Sequence, residues 1–149
     1  MYFDRLRCRH HHRHQRLPRR ERRHLATQLL LTGDAGWVGD VDRGDIVRFT
    51  PTTLGESTAG SFSWVLDGSD VELEAIAENI DGIARIPDGR LAVSTYGSFD
   101  LTGLSGDDSD LIVFNATTWG EATAGSWELY FDGSDVALTL TGEDIADLC

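Results

Sequence analysis

The sequence predicts an all-β fold assembled from tandem four-stranded antiparallel units of about 65 residues. Three observations carry that expectation: an internal duplication, apolar residues recurring at a two-residue period inside each copy, and turn-forming residues wherever that period breaks. The duplication comes first, because it sets the frame for the rest. The segment beginning Asp45-Ile46-Val47-Arg48-Phe49 realigns, 65 residues on and without a gap, with Asp110-Leu111-Ile112-Val113-Phe114. Eighteen of the 40 aligned positions are identical, among them Thr58-Ala59-Gly60-Ser61 with Thr123-Ala124-Gly125-Ser126, and Asp67-Gly68-Ser69-Asp70-Val71 with Asp132-Gly133-Ser134-Asp135-Val136.

Each element then follows in order within a period. Phe62, Trp64 and Leu66 alternate with Ser61, Ser63 and Val65, and Trp127, Leu129 and Phe131 hold the same phase in the second copy, so one face of a strand is apolar. Ile80 to Ile86 and Arg90 to Tyr96 form a second strand pair. They are joined by Pro87-Asp88-Gly89, where proline presets φ and glycine permits positive φ, the chemistry of a hairpin turn. Leu111 to Phe114 is a fourth short strand, bounded by the acidic loop 106–110 and by a Thr/Gly-rich loop from Thr117 to Gly125. No helical periodicity competes with this pattern.

A four-stranded unit in tandem suits a β-propeller blade, although familiar blades have periods of about 40–50 residues, and the excess here falls in the loops. The alternative is a string of small β-sandwich modules. Each of those needs a private core, and the repeat is poor in the apolar residues to build one. The expected division is an Arg/His-rich segment 1–28, a first, partial repeat 29–84, and a second repeat 85–149 that stops inside its next strand. The chain is thus expected to be a slice of a longer array, with neighbouring repeats as its partners.

Charge divides the chain more sharply than hydropathy. Nine of the thirteen basic residues and all five histidines lie in residues 1–28, with only Asp4 and Glu21 opposing them, a net of +7 that leaves −19 for the remainder. That remainder has four arginines, and the whole chain has no lysine. So acidic a chain repels nucleic acid and anionic membrane, and no run of 18 apolar residues is present to insert into a bilayer. The Arg/His segment invites a metal-binding or polyanion-binding reading, or that of a disordered basic tail. A reading-frame artefact explains more of it. Met1-Tyr2-Phe3-Asp4 matches Leu129-Tyr130-Phe131-Asp132, and one nucleotide inserted after the Asp4 codon converts codons for Gly-Ser-Asp-Val-Ala into codons for Arg-Leu-Arg-Cys-Arg, the residues at 5 to 9. Cys8 and Cys149 form no disulfide or metal framework.

Two features of the repeat could bind something. Asp67, Asp70, Asp132 and Asp135 flank Gly-Ser turns, and hard carboxylate oxygens so placed can converge on Ca²⁺; Asp107, Asp108 and Asp110 crowd one loop in the same way. The spacing lacks the distal glutamate of an EF-hand loop, and an Asx turn, in which the aspartate accepts from the backbone two residues on, accounts for the same residues. Trp64 and Trp127 fall among core positions. Trp119 stands in a loop where the first copy has Leu54, and is the candidate for stacking on a carbohydrate. Catalysis finds little support: the repeat has no histidine and no cysteine before Cys149, which excludes Ser-His-Asp, Cys-His and His-metal sites within it.

The strings Leu129-Tyr130-Phe131-Asp132-Gly133-Ser134-Asp135-Val136, Phe49-Thr50-Pro51-Thr52-Thr53-Leu54-Gly55 and Ile86-Pro87-Asp88-Gly89-Arg90-Leu91 resemble tandem "YFDGSDV" repeats of large, mostly uncharacterised bacterial cell-surface or secreted proteins. The resemblance covers residues 29 to 149. It implies an extracellular or cell-surface location and carries no catalytic motif. The expected function is a non-enzymatic structural or adhesive repeat fragment stiffened by calcium. The alternative is a fragment of a metal-dependent propeller hydrolase with its carboxylates gathered at a central channel.

Overall fold

A computed structural model describes residues 29–31, 41–140 and 142–145. Residues 1–28, expected to be a basic tail or a reading-frame artefact, lie outside them, as do Cys8 and Cys149. The described chain is all-β and its sheets are antiparallel, as the alternating pattern predicts. Among the described residues no helix is long and apolar enough to cross a membrane.

β1 (Leu29–Leu31), β2 (Ile46–Thr53) and β3 (Ala59–Leu66) form a three-stranded sheet in that order. β-Branched and aromatic residues fill β2, and the turn after it reverses at Gly55, whose φ of +117° suits glycine. Pro51 lies beyond the described pairing of β2 with β1, which ends at Phe49, so its missing N–H costs that ladder no hydrogen bond. β4 (Ile80–Arg85), β5 (Leu91–Thr95), β8 (Leu111–Thr118) and β9 (Ala124–Phe131) form an up-and-down sheet of four, in the order β4-β5-β8-β9. The Pro87-Asp88-Gly89 turn joins β4 to β5 as expected, with Gly89 at φ +94° and its N–H donating to the Ile86 carbonyl at 2.8 Å. The sheet therefore begins at Ile80, and the sequence boundary between 84 and 85 cuts through β4.

The duplication extends to strand register. Every β2–β3 pair recurs 65 residues on between β8 and β9: Phe49 faces Phe62 as Phe114 faces Trp127, and Pro51 faces Gly60 as Ala116 faces Gly125. Both register shifts recur too, placing Val65 and Tyr130 as extra residues in equivalent bulges. Such a bulge re-aims a side chain, which is how Val65, on the polar phase of the alternation, comes to pack against the core.

Three differences from the sequence expectation have local causes. β8 runs on through Thr117 and Thr118, since threonine suits a pleated edge and Thr118 pairs with Ala124. A short hairpin, β6 (Phe99–Leu101) and β7 (Leu104–Gly106), was not expected. Its two-residue turn, Thr102-Gly103 with Gly103 at φ +77°, carries the usual signal, but three-residue strands are too short to show a period. Single 3-10 turns at Ser69–Val71, Ile76–Glu78 and Ser134–Val136 are invisible to periodicity for the same reason.

One core joins the two sheets. Ile46, Leu66, Val71 and Leu73 of the first copy pack with Leu91, Val93, Ile112 and Phe114 of the second, and Phe99 and Leu101 of the extra hairpin close the cluster. Burying each of these side chains is worth about 1.5–3 kcal/mol. Residues of both copies enter this one cluster, so the units lean on one another.

Candidate functional site

Most of the carboxylates proposed as calcium ligands accept hydrogen bonds from the backbone or from a neighbouring serine. The Ser69 N–H and hydroxyl both donate to Asp67 Oδ1, at 3.1 and 2.7 Å, and the Ser134 pair does the same to Asp132 Oδ1, at 3.0 and 2.6 Å. These are the Asx turns that the Asp-Gly-Ser-Asp spacing allows. Asp107 closes an equivalent turn on Ser109. Asp110 is buried and accepts the N–H groups of Gly133 at 2.9 Å and Asp107 at 3.0 Å. Asp70 accepts the Thr123 N–H at 2.9 Å, and both it and Asp135, its equivalent, are exposed. Asp108 is half-buried in the same loop as Asp107. Among the described residues no three His, Cys, Asp or Glu side chains converge as a metal-holding group.

A further set of acids, of which the sequence reading missed the glutamates, does the same work inside the fold. Asp45, 3% exposed, accepts the N–H groups of Gly68 at 2.8 Å and Asp42 at 2.7 Å, tying the strand entry of β2 to the turn after β3. Asp110 repeats this 65 residues on. Glu78 accepts from Glu74 and Ala75, and Glu143 from Thr139 and Leu140. The conserved phase of Asp45 with Asp110 and of Glu78 with Glu143 within this one chain was the available signal. Burial pushes the Asp45 carboxyl up, as do the neighbouring Asp42 and Asp67 charges, against the two N–H donors that pull it down. The Ser134 hydroxyl holds Asp132 below the usual carboxylate range. Asp144 is pushed up, by burial first and then by the charges of Asp81 and Asp108.

The joint between the units is built from the same motif. The Asp67 N–H donates to Thr123 Oγ1 at 2.9 Å, and the Thr123 hydroxyl donates to the Gly120 carbonyl of its own turn. Gly120 N–H donates to the Val65 carbonyl at 2.9 Å, and the Trp127 indole donates to the Val71 carbonyl at 2.9 Å. The β8–β9 turn of the second unit is thus seated on the Asp-Gly-Ser-Asp turn of the first. Trp127, expected in the core, packs there and also pins the joint.

Beside this joint, Trp119 emerges from the β8–β9 turn. It is 47% exposed, and its ring stands edge-on to Phe114 with centroids 5.4 Å apart. It lines a cleft of about 260 Å³ with Trp64, Leu91, Arg48 and Arg85, between β3 of one sheet and the β4–β5 turn of the other. A shallower depression of about 620 Å³ continues from Trp119 and Gly89 past Arg90 to Asn115 and Thr117. Three of the four described arginines therefore gather around one tryptophan in an otherwise acidic chain. Arg85 donates to the Gly89 carbonyl at 2.8 Å and holds the turn, and the Arg48 Nε–H reaches Ser63 Oγ at 3.4 Å. Arg90 is bound to Asp88 at 2.8 Å, Glu128 at 3.1 Å and Asn115 Oδ1 at 2.8 Å. Asp88 is lowered first by the Arg90 N–H and then by its guanidinium, and Glu128 first by the Asn115 amide and then by Arg90. A flat aromatic wall with guanidinium donors at its rim can stack a ring and hold an acidic or hydroxylated substituent. Trp64, assigned to the core from its phase, is instead a wall of this cleft.

Compared with family models, curated proteins and solved structures, the chain matches none.

Proposed function

We propose that the chain is a non-enzymatic structural and adhesive segment of a bacterial extracellular repeat protein, built from propeller-like blades, and that its ligand face is the Trp119 cleft. The cleft is the observation that carries this reading: two tryptophans and two arginines meet where the sheets join, in a chain whose other charges are mostly acidic. The ligand class that fits is an acidic carbohydrate, a ring to lie on Trp119 and a carboxylate for Arg48 or Arg85. A volume of about 260 Å³ sits just under the range of about 300–1,000 Å³ usual for drug-sized ligands, so it suits a single sugar ring. Screening over about 8 Å at physiological ionic strength mutes the distant acidic loops while leaving direct contacts strong.

The blade assignment is supported by the up-and-down sheet of four strands sharing a core with its neighbour, and the extracellular one by the resemblance of the tandem repeats. The absence of catalysis is supported by the engagement of the acids, most of which hold backbone or serine donors. In this reading those turns do not need calcium for stiffness, and millimolar Ca²⁺ leaves Tm unchanged. The test is titration of the chain with oligouronates and with neutral oligosaccharides of equal length, followed by tryptophan fluorescence. Oligouronates should bind, and Trp119→Ala should weaken them about tenfold, or about 1.4 kcal/mol. Equal binding of the neutral series, or no effect of Trp119→Ala, would sink the assignment.

A further inference from the structure

We propose that the face around Asp132–Val136 receives the Gly55–Thr58 turn of a second copy of this chain, head to tail, rebuilding between molecules the joint found inside one. The inference rests on reading the chain as tandem units and names the residues by which units extend.

The two halves of the joint recur at equivalent positions with equal local geometry. On the receiving side, the 3-10 turns Ser69–Val71 and Ser134–Val136 each end in a left-handed residue, Glu72 at φ 73° and Ala137 at φ 69°. On the entering side, Thr58 donates to the Gly55 carbonyl at 2.8 Å just as Thr123 donates to that of Gly120. The hairpins that present these turns share one register. Both surfaces are therefore preformed.

What differs between the copies is coverage. Val71 is 6% exposed beneath the second unit, whereas Val136 is 58% exposed. Leu66 and Leu73 are buried, whereas Phe131 and Leu138 are only half-buried. The entering side shows the same contrast: Phe114 and Thr123 are buried, while Phe49 is half-buried and Thr58 exposed. Each position that is closed at the internal joint is more exposed at the corresponding end. The open faces match each other because both match the joint.

Docking would bring the Asp132 N–H to Thr58 Oγ1 and the Thr58 N–H to the Asp135 carboxylate, and would cover Val136 and Leu138 with Phe49 and Phe62. Phe62 stands where Trp127 does and has no indole N–H for the Val136 carbonyl. The contact thus lacks one hydrogen bond of the internal joint. Between separate molecules it also bears the cost of association, which a continuous chain avoids. The two surfaces are unlike, so the contact is heterologous and generates an open series. Each chain carries a formal charge of −12, so added salt should strengthen it.

Sedimentation velocity on the full chain, up to about millimolar where contacts of about 4 kcal/mol become visible, tests this. The average mass should climb with concentration and climb further with salt. Asp135→Ala and Thr58→Val should each be monomeric with Tm near wild type, and Val136→Glu, at an exposed position, provides a second way to block the receiving face. The decisive sample is an equimolar mixture of Asp135→Ala and Thr58→Val. The first still offers its turn and the second still offers its face, so dimers should form and nothing larger. A wild-type chain that stays monomeric throughout, variants that associate like wild type, or a mixture that remains monomeric would each overturn the proposal. Saccharide binding is read separately, so loss of either result leaves the other standing.

Discussion

Asp45 and Asp110 show how single residues define this fold. Each reaches from a strand entry to the backbone of a turn 23 residues on, and each is almost fully buried. Asp45→Asn keeps one acceptor oxygen but turns an amide towards the second N–H, leaving a buried donor unmatched. It should cost about 1–3 kcal/mol in chemical denaturation at neutral pH. Ala137 holds φ 69° without being glycine, a conformation that costs an L-residue about 1 kcal/mol or more. Ala137→Gly should therefore raise stability by about that amount, and a loss would show that the turn is not left-handed in solution. The exposed Arg90 network gives a pH signature with a definite sign. Asp88 and Glu128 are both lowered, so their contribution is present above their unfolded values of about 4 and is lost as pH falls through the folded ones. Asp45, raised by burial, acts in the opposite direction, its contribution fading as pH rises through its own titration. Thermal melts should find wild type losing more stability than Arg90→Gln on acidification below about pH 4, and parallel curves would refute the pairing.

At the scale of elements, the sequence displayed the strands that alternate and hid those that do not. Phe62 to Leu66 and the Pro87-Asp88-Gly89 hairpin were legible because a two-residue period and a turn with its own stereochemistry are local facts. β6 and β7 were hidden because three residues define no period, although Phe99 and Leu101 sit in the core. The roles of Trp64 and Trp127 were half legible. Phase located the face, but which tryptophan would meet the neighbouring unit depended on a bulge and on a contact 56 residues away. Trp127→Phe preserves the ring packing on Phe114 and removes only the indole donor to Val71. It should destabilise by about 1 kcal/mol, while Phe62→Trp, with no equivalent of the Val71 carbonyl before it among the described residues, should gain no comparable bond. Equal and opposite effects at the two sites would contradict the asymmetry of the joint.

For the whole molecule, duplication was readable from 18 identities in 40, but its structural meaning was not. Sequence alone left open whether each copy folds around its own core. The structure places Ile46, Leu66, Val71 and Leu73 against Leu91, Val93, Ile112 and Phe114, so the two copies fold as one body and the joint belongs to the core instead of lying beside it. Cleft, joint and open end faces all follow from that arrangement. Native-state hydrogen exchange reads it most directly, through the amides of Asp67, Gly120 and Thr123, which cross the joint. They should exchange only through global opening, with free energies matching those of Val93 and Ile112 in the central strands. Exchange of these three at the rate of exposed turns, while the strands stay protected, would show that the units are separately folded and merely tethered.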